Sequence, residues 1–331
     1  MIFEDIEFYN VREIEFDEEH NAYNLLRLPK VVEENMPEIG VKFNRSSLGV
    51  ELRFYMIDDE ISITLRGYKE DGGFYIYYGD LEAEYNQFTT VIRMNEEITI
   101  NLKRNHNSKE IEEINEAKGS IYPSNLIRII LYGSMTQFVR KTGKTRAIES
   151  GYKNILFYGS SITGNCISLL PNNGYPFLVS KKLKLDLLNL GYPGSCTIDK
   201  KVADELTKIK FDYAFFELGV NIIEEVTLEE YKTRCAYLLE NISKINKPIF
   251  VTDIYPYYNL KYGVSDEKLE SFRKALKEIS SKYQNIIYIE SNKLLKTKTN
   301  LCADLIHPDI DGHFEIYQNL SEIIENYIKN N

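Results

Sequence analysis

From about residue 39 to 131, apolar and polar residues alternate in short runs, the period-two pattern of half-buried strands. The candidate strands are residues 41–43, 48–54, 61–65, 74–78, 88–93, 98–102 and 127–131. Within one of them Ile61, Ile63 and Leu65 face one way, Ser62 and Thr64 the other. Asp58-Asp59, Asp71-Gly72-Gly73, Gly79-Asp80 and Asn95-Glu96 supply turn chemistry between the runs. Many short alternating strands predict an all-β sandwich of jelly-roll type. The acidic piece 110–116 reads as a solvated helix or loop inserted before the last strand.

After residue 150 the pattern changes. Apolar runs at 154–158, 186–190, 213–217, 249–252 and 286–289 alternate with helical stretches at 175–184, 198–209, 228–242, 266–282 and 312–328. Such alternation predicts a parallel sheet with helices on both faces. The chain is therefore expected to divide into a β-sandwich domain, residues 1–147, and an α/β domain, residues 148–331. Arg140-Lys141-Thr142-Gly143-Lys144-Thr145-Arg146 reads as a basic linker between them. Its Gly-Lys-Thr is not a phosphate loop, because Phe138 stands where that loop needs a glycine.

Composition narrows the field. With 43% hydrophobic and 27% charged residues, the 331-residue chain has the balance of a globular protein with large cores. A formal net charge of -10 argues against a nucleic-acid partner, which needs a concentrated positive surface. There is no apolar run of about 18 residues, so no membrane span is expected. Met1-Ile2-Phe3-Glu4-Asp5-Ile6-Glu7 lacks a basic region followed by an apolar one, which predicts a cytoplasmic protein without a signal peptide. Cys166, Cys196, Cys235 and Cys302 lack C-x-x-C spacing and read as free thiols rather than a zinc site.

The candidate chemistry gathers at the strand ends of the second half. The run Asn154-Ile155-Leu156-Phe157-Tyr158 leads into Gly159-Ser160-Ser161-Ile162-Thr163-Gly164, a strand followed by a glycine-and-hydroxyl turn. Gly194 follows the second strand and Asn221 the third; Asp304-Leu305-Ile306-His307-Pro308 follows the fifth. Carboxyl ends of parallel strands share one edge of a sheet, where ligands bind in open α/β folds. Ser161 is a candidate nucleophile, and His307 the base that would take its proton. Asp304 can accept from the ring's Nδ1–H and set its tautomer. The Ser161 and Gly194 backbone N–H groups and the Asn221 amide would form an oxyanion hole. Fixed dipoles then neutralise the oxyanion, so neither a metal nor an organic cofactor is called for. Each part has an ordinary alternative. Asp-x-x-His also fits a helix-start cap with a surface histidine, and Asn221 could close a turn. Asn173-Gly174-Tyr175-Pro176 could shape an acyl pocket or begin a helix with proline in its first turn. His313 is expected to face a packing surface, and Cys196 and Cys302 to be small thiols rather than nucleophiles.

Together these residues resemble the SGNH (GDSL-like) hydrolases. Gly159-Ser160-Ser161-Ile162-Thr163 is similar to the family's nucleophile block, and Gly194, Asn221 and Asp304…His307 match the other three. Phe157-Tyr158-Gly159-Ser160-Ser161-Ile162-Thr163, Asn189-Leu190-Gly191 and Gly73-Phe74-Tyr75-Ile76-Tyr77 look like phrases of the subgroup with an amino-terminal β-sandwich. Ser160 departs from the Asp of many members, no Asp follows Asn221, and Pro193 replaces a small polar residue. The resemblance implies a flavodoxin-like three-layer hydrolase domain with Ser161, His307 and Asp304 as catalytic residues. It also implies esterase activity, often on acetylated carbohydrates. The expected partner is a small-molecule or oligosaccharide ester, with no nucleic acid and no membrane; the oligomeric state is left open. Two other readings stand beside it: a thioesterase or lysophospholipase-type acyl hydrolase, and a non-catalytic carbohydrate-binding protein.

Overall fold

Alternating burial organises the first half of the chain. In the computed structural model, which describes all residues except 84–88, 106, 149–150 and 165–170 and the side chains of 89, 90, 134 and 171, this half is mostly strand. Its elements are β1 (Ile2–Phe3), β2 (Ile6–Tyr9), β3 (Glu13–Asp17), β4 (Ala22–Leu26), α1 (Glu38–Asn44), β5 (Glu51–Met56) and β6 (Glu60–Tyr78). Then come β7 (Leu81–Glu82), β8 (Thr89–Ile92), β9 (Glu97–Lys103), α2 (Ser108–Ala117), β10 (Ile127–Thr142) and β11 (Thr145–Ala147). Among the described residues these strands form one antiparallel hydrogen-bonded sheet, ordered β1-β2-β5-β10-β4-β3, with β6 on β10 and β7, β8 and β9 on β6. One apolar core collects the inward residues, among them Phe8, Leu52, Phe54, Ile63, Leu65, Ile129 and Phe138.

Several expectations for this half change. Residues 41–43 are helical, inside α1, and four strands precede them. Asp71-Gly72-Gly73 is no turn but the interior of β6, which runs along β10 for most of its length. Gly73 makes room there for the Tyr132 ring on β10, which a Cβ would meet at 2.3 Å. The basic stretch at 140–146 is not a linker. It is the end of β10, a turn at Gly143 with φ of 78°, and the start of β11, which returns to pair with β5. Phe88, the expected start of the fifth candidate strand, lies outside the described residues.

Strands β5 and β10 carry a buried ionic network. Glu51 accepts from Arg53 Nε at 2.8 Å and from Arg128 Nε and Nη2 at 2.9 Å each. Arg128 also reaches Asp80, and Arg53 stacks 3.5 Å from the Tyr9 ring centroid. Burial would push the Glu51 carboxyl up, but the two guanidinium groups outweigh it and hold it at about 2.

The chain divides into two compact units, residues 1–30 with 42–152, and residues 31–41 with 153–331. In the second unit β12 (Asn154–Gly159), β13 (Asp186–Gly191), β14 (Tyr213–Glu217), β15 (Ile249–Thr252) and β16 (Ile286–Ile289) form a parallel sheet, ordered β13-β12-β14-β15-β16. Here β12 lies between β13 and β14, so the connections diverge at its carboxyl end, the switch point where open α/β sheets bind ligands. The helices are α3 (Ser161–Gly164), α4 (Tyr175–Leu183), α5 (Lys200–Leu206), α6 (Leu228–Ser243), α7 (Asp266–Ser280) and α8 (Ile310–Asn330). Three of these helices start at a side-chain cap: Thr227, Ser265 and Asp309 each accept from the backbone N–H three residues on. Phe157, Phe215 and Phe250 of neighbouring strands pack with Tyr175, Ile316, Leu320 and Ile324 from the helices. The strand and helix positions follow the expected alternation closely, and the segment at 173–176 is a helix start with Gly174 as its cap. Among the described residues no helix is long and apolar enough to cross a membrane.

Candidate active site

Glycines bring the Ser161 turn close to its neighbours. A Cβ on Gly159 would lie 2.2 Å from Thr163 Oγ1, and one on Gly191 would lie 2.2 Å from the backbone N of Gly164. The ends of β12 and β13 can therefore press against α3 only with glycine at both positions. Tyr192 N donates to Gly159 O at 2.7 Å, and Asn189 Nδ2 donates to Thr163 O at 3.1 Å. Ser161 opens α3 and is partly exposed, whereas Ser160 beside it is buried.

His307 comes from the loop before α8. Its Nε2 lies 2.7 Å from Ser161 Oγ, and its Nδ1 lies 2.8 Å from Asp304 Oδ2. Asp304 Oδ1 accepts from the backbone N–H of Ile306 at 3.1 Å and of His307 at 3.0 Å, a side-chain turn that aims Oδ2 at the ring. Between them Leu305 has a φ of 68°, a left-handed conformation unusual for leucine. Two bonds from the loop after β15 brace it: Tyr258 N to Leu305 O at 3.0 Å and Tyr262 Oη to Asp304 O at 2.6 Å. Partial burial opposes ionisation of Asp304, but those two backbone N–H groups and the ring outweigh it and hold its carboxyl below the ordinary range.

Gly194 and Asn221 lie on two loops, after β13 and after β14, that are hydrogen-bonded to each other. Asn221 Oδ1 accepts from Cys196 N at 3.1 Å, which commits the amide oxygen to the Gly194-Ser195-Cys196 segment and leaves Nδ2 as the donor. Gly194 has a φ of 63°, and a Cβ there would lie 3.0 Å from Ile39 Cδ1. Serine, histidine and aspartate thus form one contact chain, with the glycine and asparagine on two bonded loops that follow β13 and β14, the strands either side of β12. This donor and acceptor set suits acyl transfer.

A family model described as "GDSL-like Lipase/Acylhydrolase family" matches residues 152–325. The chain belongs to that family. No curated protein matches the chain. Among solved structures, the salicylyl acyltransferase SsfX3 from a tetracycline biosynthetic pathway has a TM-score of 0.76 at 12% identity, covering 96% of this chain and 93% of that one. A family two carbohydrate esterase from Clostridium thermocellum, in complex with cellohexaose, has a TM-score of 0.62 at 13% identity, covering 98% and 99%. The acetyl xylan esterase Est2A from the rumen bacterium Butyrivibrio proteoclasticus has a TM-score of 0.55 at 11% identity, covering 99% and 97%. These likenesses establish that the chain shares their fold. As a GDSL-like acylhydrolase it has the parallel sheet of that fold in its second unit.

One group beside this candidate site, Glu217, escaped the sequence reading. Glu217, the last residue of β14, is buried and takes hydrogen bonds from the turn that carries Ser161. Its one signal was an acid closing the otherwise apolar run Tyr213-Ala214-Phe215-Phe216. Tyr175 is buried with its hydroxyl 2.8 Å from Thr163 Oγ1. His313 stacks on Tyr175; burial, aided by the nearby His307, pushes its pKa down to about 4, so it is a neutral packing group near neutral pH. Cys196 is buried and its thiol is pushed well up, first by burial and then by Glu217, which suits packing and not attack. Cys166 lies outside the described residues. Asp17, Glu19 and His20 of the first unit place potential metal-ligand atoms within 4.8 Å of one another, with Asp17 Oδ2 already bonded to His20 and Gln137.

Proposed function

We propose that the protein is a serine esterase that removes short acyl groups, acetyl foremost, from a sugar or glycoside through an acyl-enzyme. His307 Nε2 takes the proton of Ser161 Oγ as that oxygen attacks the ester carbonyl. The tetrahedral oxyanion is stabilised by the N–H groups of Ser161 and Gly194 and by the Asn221 amide. The intermediate collapses, the alkoxide leaves with the proton held on His307, and water attacks the acyl-enzyme by the same route in reverse roles. Asp304 keeps the ring in the tautomer that leaves Nε2 free to accept. The observation that carries the reading is the unbroken Ser161–His307–Asp304 hydrogen-bond chain.

Family membership supports acyl chemistry. A carbohydrate ester is the first substrate to try because two whole-chain fold neighbours bear carbohydrate-esterase names. The acyltransferase among the neighbours favours a second reading, in which an alcohol instead of water accepts the acyl group from Ser161. A panel of p-nitrophenyl esters from acetate to palmitate, followed by acetylated oligosaccharides, tests the proposal. Acetate and propionate are expected to be cleaved much faster than octanoate. Equal or greater kcat/KM on long chains would replace the reading with a lysophospholipase-type one, and inertness toward every ester would favour a binding protein.

A further inference from the structure

The turn bearing Ser161 hangs on one carboxyl oxygen. Glu217 Oε2 accepts from Ser160 N at 2.8 Å, from Ser160 Oγ at 2.7 Å and from Thr163 Oγ1 at 3.0 Å. Ser160 Oγ in turn accepts from Ile162 N at 3.1 Å. Residues 160, 162 and 163 are thereby tied down, while the Ser161 hydroxyl between them points to His307. The support is rigid: Glu217 pairs in register with Thr252 of β15, and Phe216 before it with Tyr158 of β12. Sites held by strands keep their geometry better than sites held by loops alone.

We propose that Glu217 is a positioning residue for the reaction: its carboxyl clamps the turn on both sides of Ser161 and fixes where the nucleophilic hydroxyl sits. The inference rests on the reading of Ser161 as nucleophile. Among the described residues no ion pair explains an acid at this place. The titratable groups that face it are Tyr175 from α4, Cys196 from the loop after β13 and Tyr255 from the loop after β15, none of them basic. All three are pushed above their ordinary values, first by burial, and remain neutral. Among the described residues Glu217 Oε1 has no partner at all. The backbone and hydroxyl donors of Ser160 and Thr163 are what stabilises the ionised carboxyl, against a burial that pushes its pKa up to about 7. By reciprocity, the ionised carboxyl is what holds the turn. Protonation weakens Oε2 as an acceptor and loosens the clamp, so the acid limb of kcat/KM contains the protonation of Glu217 as well as that of the base.

The test compares wild type, Glu217→Gln and Glu217→Ala on p-nitrophenyl acetate between pH 5 and 9, with melting temperatures and a fluorophosphonate labelling rate for each. Glu217→Gln retains an acceptor and cannot ionise. It is expected to keep kcat within about tenfold of wild type at high pH and to show an acid limb of one protonation where wild type shows two. Glu217→Ala is expected to lose about 100-fold in kcat with KM little changed, the cost of a misplaced nucleophile. A wild-type-like kcat in a folded Glu217→Ala, or a Glu217→Gln profile superimposable on wild type, overturns the clamp. If Glu217→Ala does not fold, the Glu217→Gln profile decides alone. A wild type inert to both ester and fluorophosphonate sinks the esterase reading and the clamp with it, whereas an active wild type with an unchanged glutamine variant sinks only the clamp.

Discussion

Asp304 divides its two oxygens between His307's backbone and His307's ring: Oδ1 takes the N–H at 3.0 Å and Oδ2 meets Nδ1 at 2.8 Å. One carboxylate therefore shapes the loop and orients the base. His307→Ala removes the one group, among the described residues, that contacts Ser161 Oγ and can shuttle the proton, and turnover is expected to fall nearly to background. Asp304→Ala is expected to retain measurable turnover above that variant, since an orienting carboxylate is generally the less costly member to remove. Asp304→Asn preserves the backbone turn but can enforce the wrong tautomer, and is expected to do worse than its isosteric shape suggests. Single-turnover rates of the three variants check this order; an Asp304→Ala enzyme as fast as wild type would reduce the aspartate to a loop cap.

Gly194→Ala is expected to lower kcat without a large change in global stability. Its φ of 63° costs an L-residue about 1–2 kcal/mol, and the added Cβ meets Ile39 Cδ1 at 3.0 Å. Either relaxation displaces the N–H assigned to the oxyanion. Kinetics on an acetate ester, with the melting temperature as control, checks it, and the accompanying change Ile39→Ala should restore only the steric part.

Glu217 sets a pH dependence of stability with a definite sign. Its folded pKa of about 7 lies above the roughly 4.3 of an unperturbed glutamate. Its stability contribution is therefore complete below pH 4.3 and is lost as pH rises through 7. At 1.36 kcal/mol per pKa unit the loss is about 3–4 kcal/mol for this fully buried group. Denaturant unfolding of wild type and Glu217→Gln from pH 4 to 8 is expected to show the glutamine variant gaining on wild type as pH rises. Parallel curves would show that the carboxyl does not change charge in that window.

Glu51 has the opposite sign. Burial pushes its carboxyl up, but Arg128 and Arg53 prevail and hold it at about 2. Its contribution is present above pH 4.3 and is lost as pH falls toward 2. Glu51→Ala leaves two buried guanidinium groups short of a partner, with Asp80 still on Arg128, and is expected to cost about 3 kcal/mol at pH 7. A smaller penalty for Glu51→Ala combined with Arg128→Met would locate the cost in the stranded charge.

The parallel sheet was legible because stretches such as 155–158 and 249–251 are buried on both faces and show as unbroken apolar runs. The antiparallel half was legible only in part. Glu13-Ile14-Glu15-Phe16-Asp17 forms β3 as a partly exposed strand whose polar residues conceal it, and Val41-Lys42-Phe43 is too short to reveal its period. Glycines at 72 and 73 suggested a turn but serve a close crossing between two long strands. The Ser161, His307 and Asp304 contacts could be anticipated because strand-end residues of a parallel sheet share an edge. Glu217 could not, because nothing along the chain shows that its neighbours are hydroxyls and not water.

The central claim is that Ser161 is the nucleophile, activated by His307. The most direct test is to treat wild type, Ser161→Ala and His307→Ala with an alkyl fluorophosphonate and map the modified peptide by mass spectrometry. The account predicts one adduct on wild type, located on Ser161, none on Ser161→Ala, and labelling slowed nearly to background in His307→Ala. An adduct on Ser160, or full ester hydrolysis by Ser161→Ala, would contradict it.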